Sequence, residues 1–169
     1  MQLSTHFALD EFTFSATAVR NGIVNDQPPA EVMANLTTLA FALEQVRDTL
    51  GGHAIRIDSG YRCEALERIL CVKDFRNWCA RRGISPNTDN WPLYFATKAH
   101  PKGFAADILC PDFGDPATIV KAIAASGIPF DQCIMEGTWV HFSVAPEMRH
   151  EVLTATFGAD GPTYTEGLA

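Results

Sequence analysis

The sequence lacks the long apolar run that a membrane-spanning helix requires. Nowhere in its 169 residues do apolar side chains continue for the ~20 positions that cross a bilayer. The opening MQLSTHFALDEF has neither the basic segment nor the apolar segment of a secretory signal. We therefore expect no integral membrane association. We also expect the protein to stay in the compartment where it is made, until it is released by lysis or leaves as part of a particle.

Positive charge is scarce. The chain has 13 Lys and Arg against 20 Asp and Glu, which gives a formal net charge of −7. Phosphate backbones and anionic lipids repel a protein with this balance, so we expect neither nucleic acid nor an anionic membrane as its main partner.

Paired cysteines are also missing. The five cysteines are an odd number and include no CxxC motif. This pattern is typical neither of a disulfide framework nor of a cysteine zinc site. We predict reduced, mostly buried thiols.

What remains is the composition of an ordinary globular protein. Apolar residues make up 47% of the chain and charged residues 20%, which is enough to bury a core. No repeat, low-complexity tract or Pro/Ser-rich linker divides it. We predict one domain over residues 1–169.

Periodicity predicts helices first, then strands and helices mixed. The clearest helix follows Pro28-Pro29, where apolar residues recur at steps of four and three from Val32 to Leu50. Short connections later in the chain indicate an α+β fold, with a small antiparallel sheet and helices packed against it. The predicted helices are residues 15–20, 30–50, 63–82, 115–127 and 146–157, and the predicted strands are 53–58, 105–110, 132–136 and 138–144.

A histidine and an aspartate are spaced like ligands of one metal ion. TKAHPKGFAADI places His100 and Asp107 seven positions apart, on a loop that leads into a strand. His141 lies on the last predicted strand and shares a face with Trp139 and Ser143. Two histidines and a carboxylate suit a zinc site that keeps one position open for water. The alternative is a loop histidine and a solvated aspartate without any metal.

A glutamate and an arginine would complete a hydrolytic site. Glu136, five residues before His141, would serve as the general acid–base beside the metal. Arg62 ends a predicted strand and would stabilise a developing oxyanion. Alone, Arg62 also fits a surface arginine paired with a nearby acid.

Four motifs, in this order, carry a resemblance to a known family. They are SGYR at 59–62, HPKGFAAD at 100–107, FDQ at 130–132 and EGTWVHFS at 136–143. Together they resemble the zinc D-Ala-D-Ala carboxypeptidases, a family that includes phage L-alanyl-D-glutamate endopeptidases and vancomycin-resistance D-Ala-D-Ala dipeptidases. The opening LSTHFALDEFTFSATAVRNGIVN looks like the start of the phage-type branch, so the resemblance covers nearly the whole chain.

The resemblance implies a fold, a cofactor and a set of site residues. The family shares its fold with hedgehog signalling domains. One Zn²⁺ ion would be held by His100, Asp107 and His141, with Glu136 as general base and acid and Arg62 as the oxyanion-stabilising group. Asp131 would orient a ligand histidine, as metal-bound imidazoles usually require, and Trp139 is either a cleft wall or ordinary strand core. The candidate substrate-binding residues are Ser59, Tyr61, Lys98, Asp131, Gln132 and Trp139.

Two features depart from the family pattern. Family members usually carry Ser-x-His at the first ligand, whereas Lys98 stands two residues before His100. That lysine either binds a substrate carboxylate or points to water. Residues 63–99 form an extended, insertion-like segment with several aromatics between 75 and 95. It is either a lid or substrate-binding wall, or a surface insertion that packs its own aromatics.

The implied function is hydrolysis of amide bonds in peptidoglycan stem peptides. The enzyme would act as a DD-carboxypeptidase or an L-Ala-D-Glu-type endopeptidase, as a monomer, in cell-wall lysis by a phage or prophage. It would remain cytoplasmic until released by lysis, or be carried in the virion. The alternatives are a D-Ala-D-Ala dipeptidase and a non-enzymatic metal-containing binding or structural module, because fold does not fix function. Manganese or cobalt would also suit the ligand set.

Overall fold

The computed structural model describes residues 1–158 and 161–168. Within these residues no helix is both long and apolar enough to cross a membrane. The chain forms seven α-helices, one short 3-10 helix and six strands over the described residues. In chain order they are α1 Leu9–Thr13, α2 Ala16–Arg20, α3 Ala30–Thr49, β1 Arg56–Ser59, α4 Glu64–Leu70, α5 Val72–Arg81, α6 Trp91–Phe95, the 3-10 helix His100–Lys102, β2 Ala105–Leu109, α7 Pro116–Ser126, β3 Gln132–Glu136, β4 Trp139–Ser143, β5 Glu151–Gly158 and β6 Gly161–Glu166.

Helix α3 provides one side of the main core, as its periodicity predicts. It begins after Pro29 and ends before Gly51, whose φ of +74° is a backbone conformation that favours glycine. The apolar stripe along it is fully buried, which accounts for the helix through tertiary packing rather than intrinsic propensity. The buried stripe consists of Leu36, Leu39, Leu43, Val46 and the capping Leu50.

The six strands form one mixed sheet in the order β1-β2-β4-β3-β5-β6. The α+β class is therefore observed, but the sheet is larger than predicted and not wholly antiparallel, because β3 and β5 run parallel. The predicted helix over residues 146–157 is wrong, since β5 occupies Glu151–Gly158. Val152, Thr154 and Thr156 are β-branched and favour a pleated strand over a helix. Strand β6 follows β5 near the C-terminus, and residues 159, 160 and 169 lie outside the described part of the chain.

The two faces of the sheet have different roles. Ile108 of β2, Val140 and Phe142 of β4, and Cys133 of β3 all belong to the main hydrophobic core, and helix α7 contacts β3 and β4. Because side chains alternate along a strand, the residues between them point to the opposite face. Asp107 and His141 are therefore directed away from the core.

Residues 63–99 pack a small core of their own. The single helix predicted over 63–82 is two helices, because the chain breaks at Cys71 between α4 and α5. Trp91 is in edge-to-face contact with Phe75 at a ring distance of 5.2 Å. The segment therefore buries several of its own aromatics. The second core contains Cys71, Phe75, Cys79, Trp91 and Tyr94.

The cysteines are as predicted. All five thiols are free, and only Cys63 is partly accessible.

Candidate metal centre

Strand register brings three of the predicted residues into one row on the face away from the core. Ser59 on β1 is paired with Asp107 on β2, and Asp107 with His141 on β4. Residues paired directly across neighbouring strands lie on the same face and within side-chain contact. The aspartate is thus flanked by a β1 residue on one side and by His141 on the other.

His100 joins this row from the 3-10 helix that precedes β2. Its Nδ1 lies 2.8 Å from the carbonyl oxygen of Gly60, so Nδ1–H donates there and Nε2 is left as the free ligand atom. The turn after it requires glycine at position 103. The φ of Gly103 is +74°, and a Cβ added there would lie only 2.8 Å from the carbonyl oxygen of Val32. The close approach of the turn to α3 fixes where His100 sits.

The ligand atoms of His100, Asp107 and His141 all lie within 4.8 Å of one another. Asp107 Oδ1 is 3.3 Å from His100 Nε2 and 3.0 Å from His141 Nδ1. Metal–ligand bonds of roughly 2.0–2.2 Å in a tetrahedron would separate the ligand atoms by about 3.3 Å. The donor set and its spacing therefore fit one small divalent ion such as zinc.

The electrostatics keep His100 and Asp107 in the protonation states that a metal needs. Burial lowers the pKa of His100, and the nearby Arg62 charge lowers it further, so the imidazole stays neutral. Burial alone would raise the pKa of Asp107, but its interactions with His100 and His141, including a hydrogen bond with each ring, outweigh burial and hold that pKa well below its usual range. A neutral imidazole and an ionised carboxylate are the ligand forms that bind divalent ions.

Arg62 is held beside the cluster by three neighbours. Its Nε donates to Ser59 Oγ at 3.0 Å and its Nη2 to Asp107 Oδ2 at 2.9 Å. On the other side, Nη1 lies 3.6 Å from the carboxylate of Glu67, which is 1% exposed. This fixed orientation points the guanidinium at the metal ligands rather than at solvent.

Sequence reasoning missed Glu67. The signal was present, because Cys63, Glu67 and Cys71 are four apart and form one stripe on the helical segment. That stripe carries two mostly buried cysteines, and a carboxylate within it needs a cationic partner. Glu67 also accepts a hydrogen bond from the Cys71 thiol at 3.1 Å.

Glu136 lies at the end of β3, next to Trp139 across the turn. The indole Nε1 of Trp139 donates to Glu136 Oε2 at 3.0 Å. Burial raises the pKa of Glu136, and the charge of Asp107 adds to the rise, while His141, Trp139 and Arg62 oppose it. A half-buried carboxylate with a raised pKa beside a metal ligand is suited to proton transfer near neutral pH.

The other predicted residues are divided between the site and the rest of the structure. Trp139 is half-buried on the same face of the sheet as His141, and its ring lies 6.1 Å from that of Phe157. The interpretation of Trp139 as an ordinary core residue of the strand is therefore wrong. Tyr61 is the reverse case: it belongs to the main core rather than to a cleft. Lys98 lies with its Nζ 4.2 Å from the centre of the Tyr94 ring.

The prediction that Asp131 orients a ligand histidine is wrong. Its buried carboxylate accepts three hydrogen bonds from Arg149, from the backbone N–H, Nε and Nη2, at 2.7–3.1 Å. The neighbouring Gln132 donates its side-chain amide to Glu151 at 2.7 Å. Both residues thus fasten the start of β3 to the chain entering β5.

Replacing Arg149 with Ala tests this structural role. The variant leaves the buried Asp131 carboxylate without its side-chain partner, and we expect the free energy of unfolding to fall by about 2 kcal/mol. Metal affinity should not change, because none of the cluster's hydrogen bonds involves Arg149. Urea unfolding measures the stability of the two proteins, and zinc titration measures their metal affinity. A variant that loses zinc affinity would mean that Asp131 does contribute to the metal site.

Comparison with known proteins agrees with this geometry. Residues 5–70 match the family model described as Peptidase M15, and no curated protein matches the chain. The matched segment contains Ser59 and Arg62 but ends before His100, so the convergence of the metal ligands is an independent observation. Over residues 5–70 the chain is therefore similar to the Peptidase M15 family.

Proposed function

We propose that this protein is a zinc peptidase that hydrolyses amide bonds in peptidoglycan stem peptides, on a hedgehog/DD-peptidase-like fold. The observation that carries the proposal is the convergence of His100, Asp107 and His141, with Glu136 and Arg62 beside them. An M15 family match over the N-terminal part of the chain supports the peptidase class.

The three ligands would hold the ion, and the neighbouring side chains would handle protons and charge. Zinc bound there supplies an electrophile for the substrate carbonyl and makes water nucleophilic at neutral pH. Glu136, with its raised pKa, accepts the proton of the attacking water. The same carboxyl group then donates that proton to the nitrogen of the departing amine.

Arg62 would stabilise the negative charge that develops on the scissile carbonyl oxygen. Its guanidinium carries five donors, of which Nε and Nη2 are engaged by Ser59 and Asp107. Glu67 holds it from behind, so the cation is oriented before substrate arrives. Donors fixed in advance need no reorganisation during the reaction, which is the source of their catalytic effect.

We place the activity in cell-wall lysis by a phage or prophage, with the protein released from the cytoplasm at lysis or carried in the virion. Support comes from the N-terminal resemblance to the phage-type branch of the family. Ser59 and Lys98 remain the proposed contacts to the substrate near the metal, and the enzyme would act as a monomer.

Mass spectrometry of digested cell walls tests the proposal. Purified peptidoglycan from several bacterial types is incubated with the zinc-loaded protein, with and without a chelator. We expect new amine ends that the chelator prevents, and the fragment masses identify the bond. Intact walls after incubation with protein shown to hold zinc would contradict the wall-enzyme proposal. Free D-Ala-D-Ala, assayed in parallel, distinguishes a dipeptidase from a non-enzymatic metal module.

A further inference from the structure

Two aromatic side chains donate hydrogen bonds to the proposed general base. Trp139 is paired with Glu136 across the turn between β3 and β4, and its indole Nε1–H donates to Oε2 of the carboxylate at 3.0 Å. Tyr164 on β6 forms a hydrogen bond to the same carboxylate. Burial and the charge of Glu136 raise the pKa of Tyr164, so its hydroxyl stays protonated and donates. The carboxylate of Glu136 is thus held from two different strands.

The strand register explains how a residue of β6 reaches Glu136. The parallel pairing of Met135 with Thr154 continues to place Glu136 beside Ala155, and Ala155 is paired with Tyr164. Residues paired across neighbouring strands share a face, so Glu136, Ala155 and Tyr164 lie in one row. Ala155 carries only a methyl group, which leaves the space above β5 open for the tyrosine side chain.

Neighbouring side chains and strands fix the position of both donors. The indole of Trp139 packs against Phe157 on β5, with the ring centres 6.1 Å apart. Phe157 is two residues beyond Ala155 and therefore lies on the same face of the sheet. This aromatic contact limits rotation of the indole and keeps Nε1 directed at Glu136. Strand β6, which carries Tyr164, is in contact with helix α5 of the insertion.

The orientation of Glu136 matters because a general base has to present an oxygen to the attacking water. Proton transfer requires that oxygen within hydrogen-bond reach of the water, at roughly 2.6–3.2 Å. A free glutamate side chain rotates among several conformers and loses that freedom when it is fixed. Two donors on separate strands fix it before the substrate arrives, so the reaction does not have to order the base.

We propose that Trp139 and Tyr164 are positioning residues that hold the carboxylate of Glu136 in the orientation from which it takes the proton of the attacking water. The inference rests on the proposed peptidase function and gives the C-terminal hairpin a part in it. Both residues act through Glu136, so neither has to touch the peptide. Their loss is therefore expected to lower kcat and to leave KM nearly unchanged.

A double-mutant cycle tests this inference. Trp139→Phe and Tyr164→Phe each remove one donor and keep an aromatic ring, and both are made in the wild-type protein and in Glu136→Gln. Misplacing a catalytic group costs up to about 100-fold, and each variant keeps one donor, so we expect kcat to fall about 10- to 30-fold with KM within about threefold. In Glu136→Gln, which lacks the base, the same substitutions should change kcat by less than about threefold.

The probes are the stem pentapeptide L-Ala-γ-D-Glu-L-Lys-D-Ala-D-Ala and its diaminopimelate counterpart, and the zinc content of each protein is measured alongside. The matched control is Trp91→Phe, which makes the same chemical change in the second core. The indole Nε1 of Trp91 is buried and has no hydrogen-bond partner among the described residues. The kcat of this control, per folded protein, should stay within about twofold of wild type.

The outcomes separate the inference from the function on which it rests. If either single variant keeps kcat within twofold of wild type, the positioning role of that residue is wrong. An equal loss of kcat with and without Glu136 overturns both roles, because general loosening of the structure acts without the base. A comparable loss in Trp91→Phe overturns them as well. A zinc-loaded wild type that cleaves neither pentapeptide nor whole walls overturns the proposed function and this inference together.

Discussion

Replacing Glu136 with Gln is expected to reduce turnover by about 1,000-fold while the metal stays bound. General acid–base groups typically contribute 10²–10⁴ in rate, and Glu136 would act twice, on the attacking water and on the departing amine. The substitution keeps the size of the side chain and an oxygen that can accept from the Trp139 indole. Glu136 is not among the three clustered ligand groups, so the metal should remain. Initial rates on the stem pentapeptide and zinc content by mass spectrometry measure the two effects.

The matched control for this variant is Glu147→Gln. Glu147 is an exposed residue in the segment that precedes β5, so the same chemical change there removes a charge without touching the cluster. Its rate should equal that of the wild-type protein. If the Glu136→Gln variant holds zinc and its turnover is within tenfold of the wild-type rate, Glu136 is not the general base and another group must take that role.

The elements that could be predicted from the sequence are those whose signals are local. Helix α3 has an apolar stripe five turns long, and α7 is capped by Asp115, whose carboxylate accepts a hydrogen bond from the backbone N–H of Thr118. Strands β2 and β4 could be predicted as short, mostly apolar runs, and both are buried along most of their length. The three candidate ligands that lie together were also predictable, from the resemblance carried by the four ordered motifs.

The C-terminal third was not predictable in the same way. Residues 146–157 have a mixed pattern that fits a short helix, and what decides their state is pairing with β3, about 20 residues earlier in the chain. Non-local pairing overrides local propensity because most strand stability comes from neighbours across the sheet.

The hydrogen-bond and ion-pair partners of individual side chains could not be predicted from the motifs alone. Asp131 lies within a motif of the resemblance, yet its carboxylate binds Arg149, a residue that no spacing rule connects to it. Tyr61 stands beside Arg62 in SGYR, but alternation along the chain turns its ring into the main core. Glu67 belongs to no motif and is nevertheless the buried anion behind Arg62.

Replacing Asp107 with Asn is expected to weaken zinc binding by more than about 100-fold and also to destabilise the metal-free protein. Losing an outer partner of a metal ligand already costs 10–100-fold in affinity, and Asp107 is itself a ligand in the cluster. The uncharged amide can still occupy the space but is a poor ligand for zinc. Titration with zinc against a competing chelator measures the affinity, with Asp58→Asn as the control because that carboxylate is half-exposed on β1.

The stability effect follows from the charges that Asp107 holds together. Its carboxylate binds Arg62 at 2.9 Å, and that guanidinium is only 17% exposed, so the variant leaves a largely buried cation with Glu67 at 3.6 Å as its remaining anion. We expect the free energy of unfolding in chelator at pH 7 to fall by about 3 kcal/mol. Because the folded pKa of Asp107 is depressed, its contribution is fully present above the unfolded value of about 4 and declines as the pH falls through the folded value. The difference between wild type and variant should therefore shrink in acid. A difference that stays constant from pH 7 to pH 3 would mean that folding does not lower the pKa of this carboxylate, and the ion-pair account of the cluster would fail.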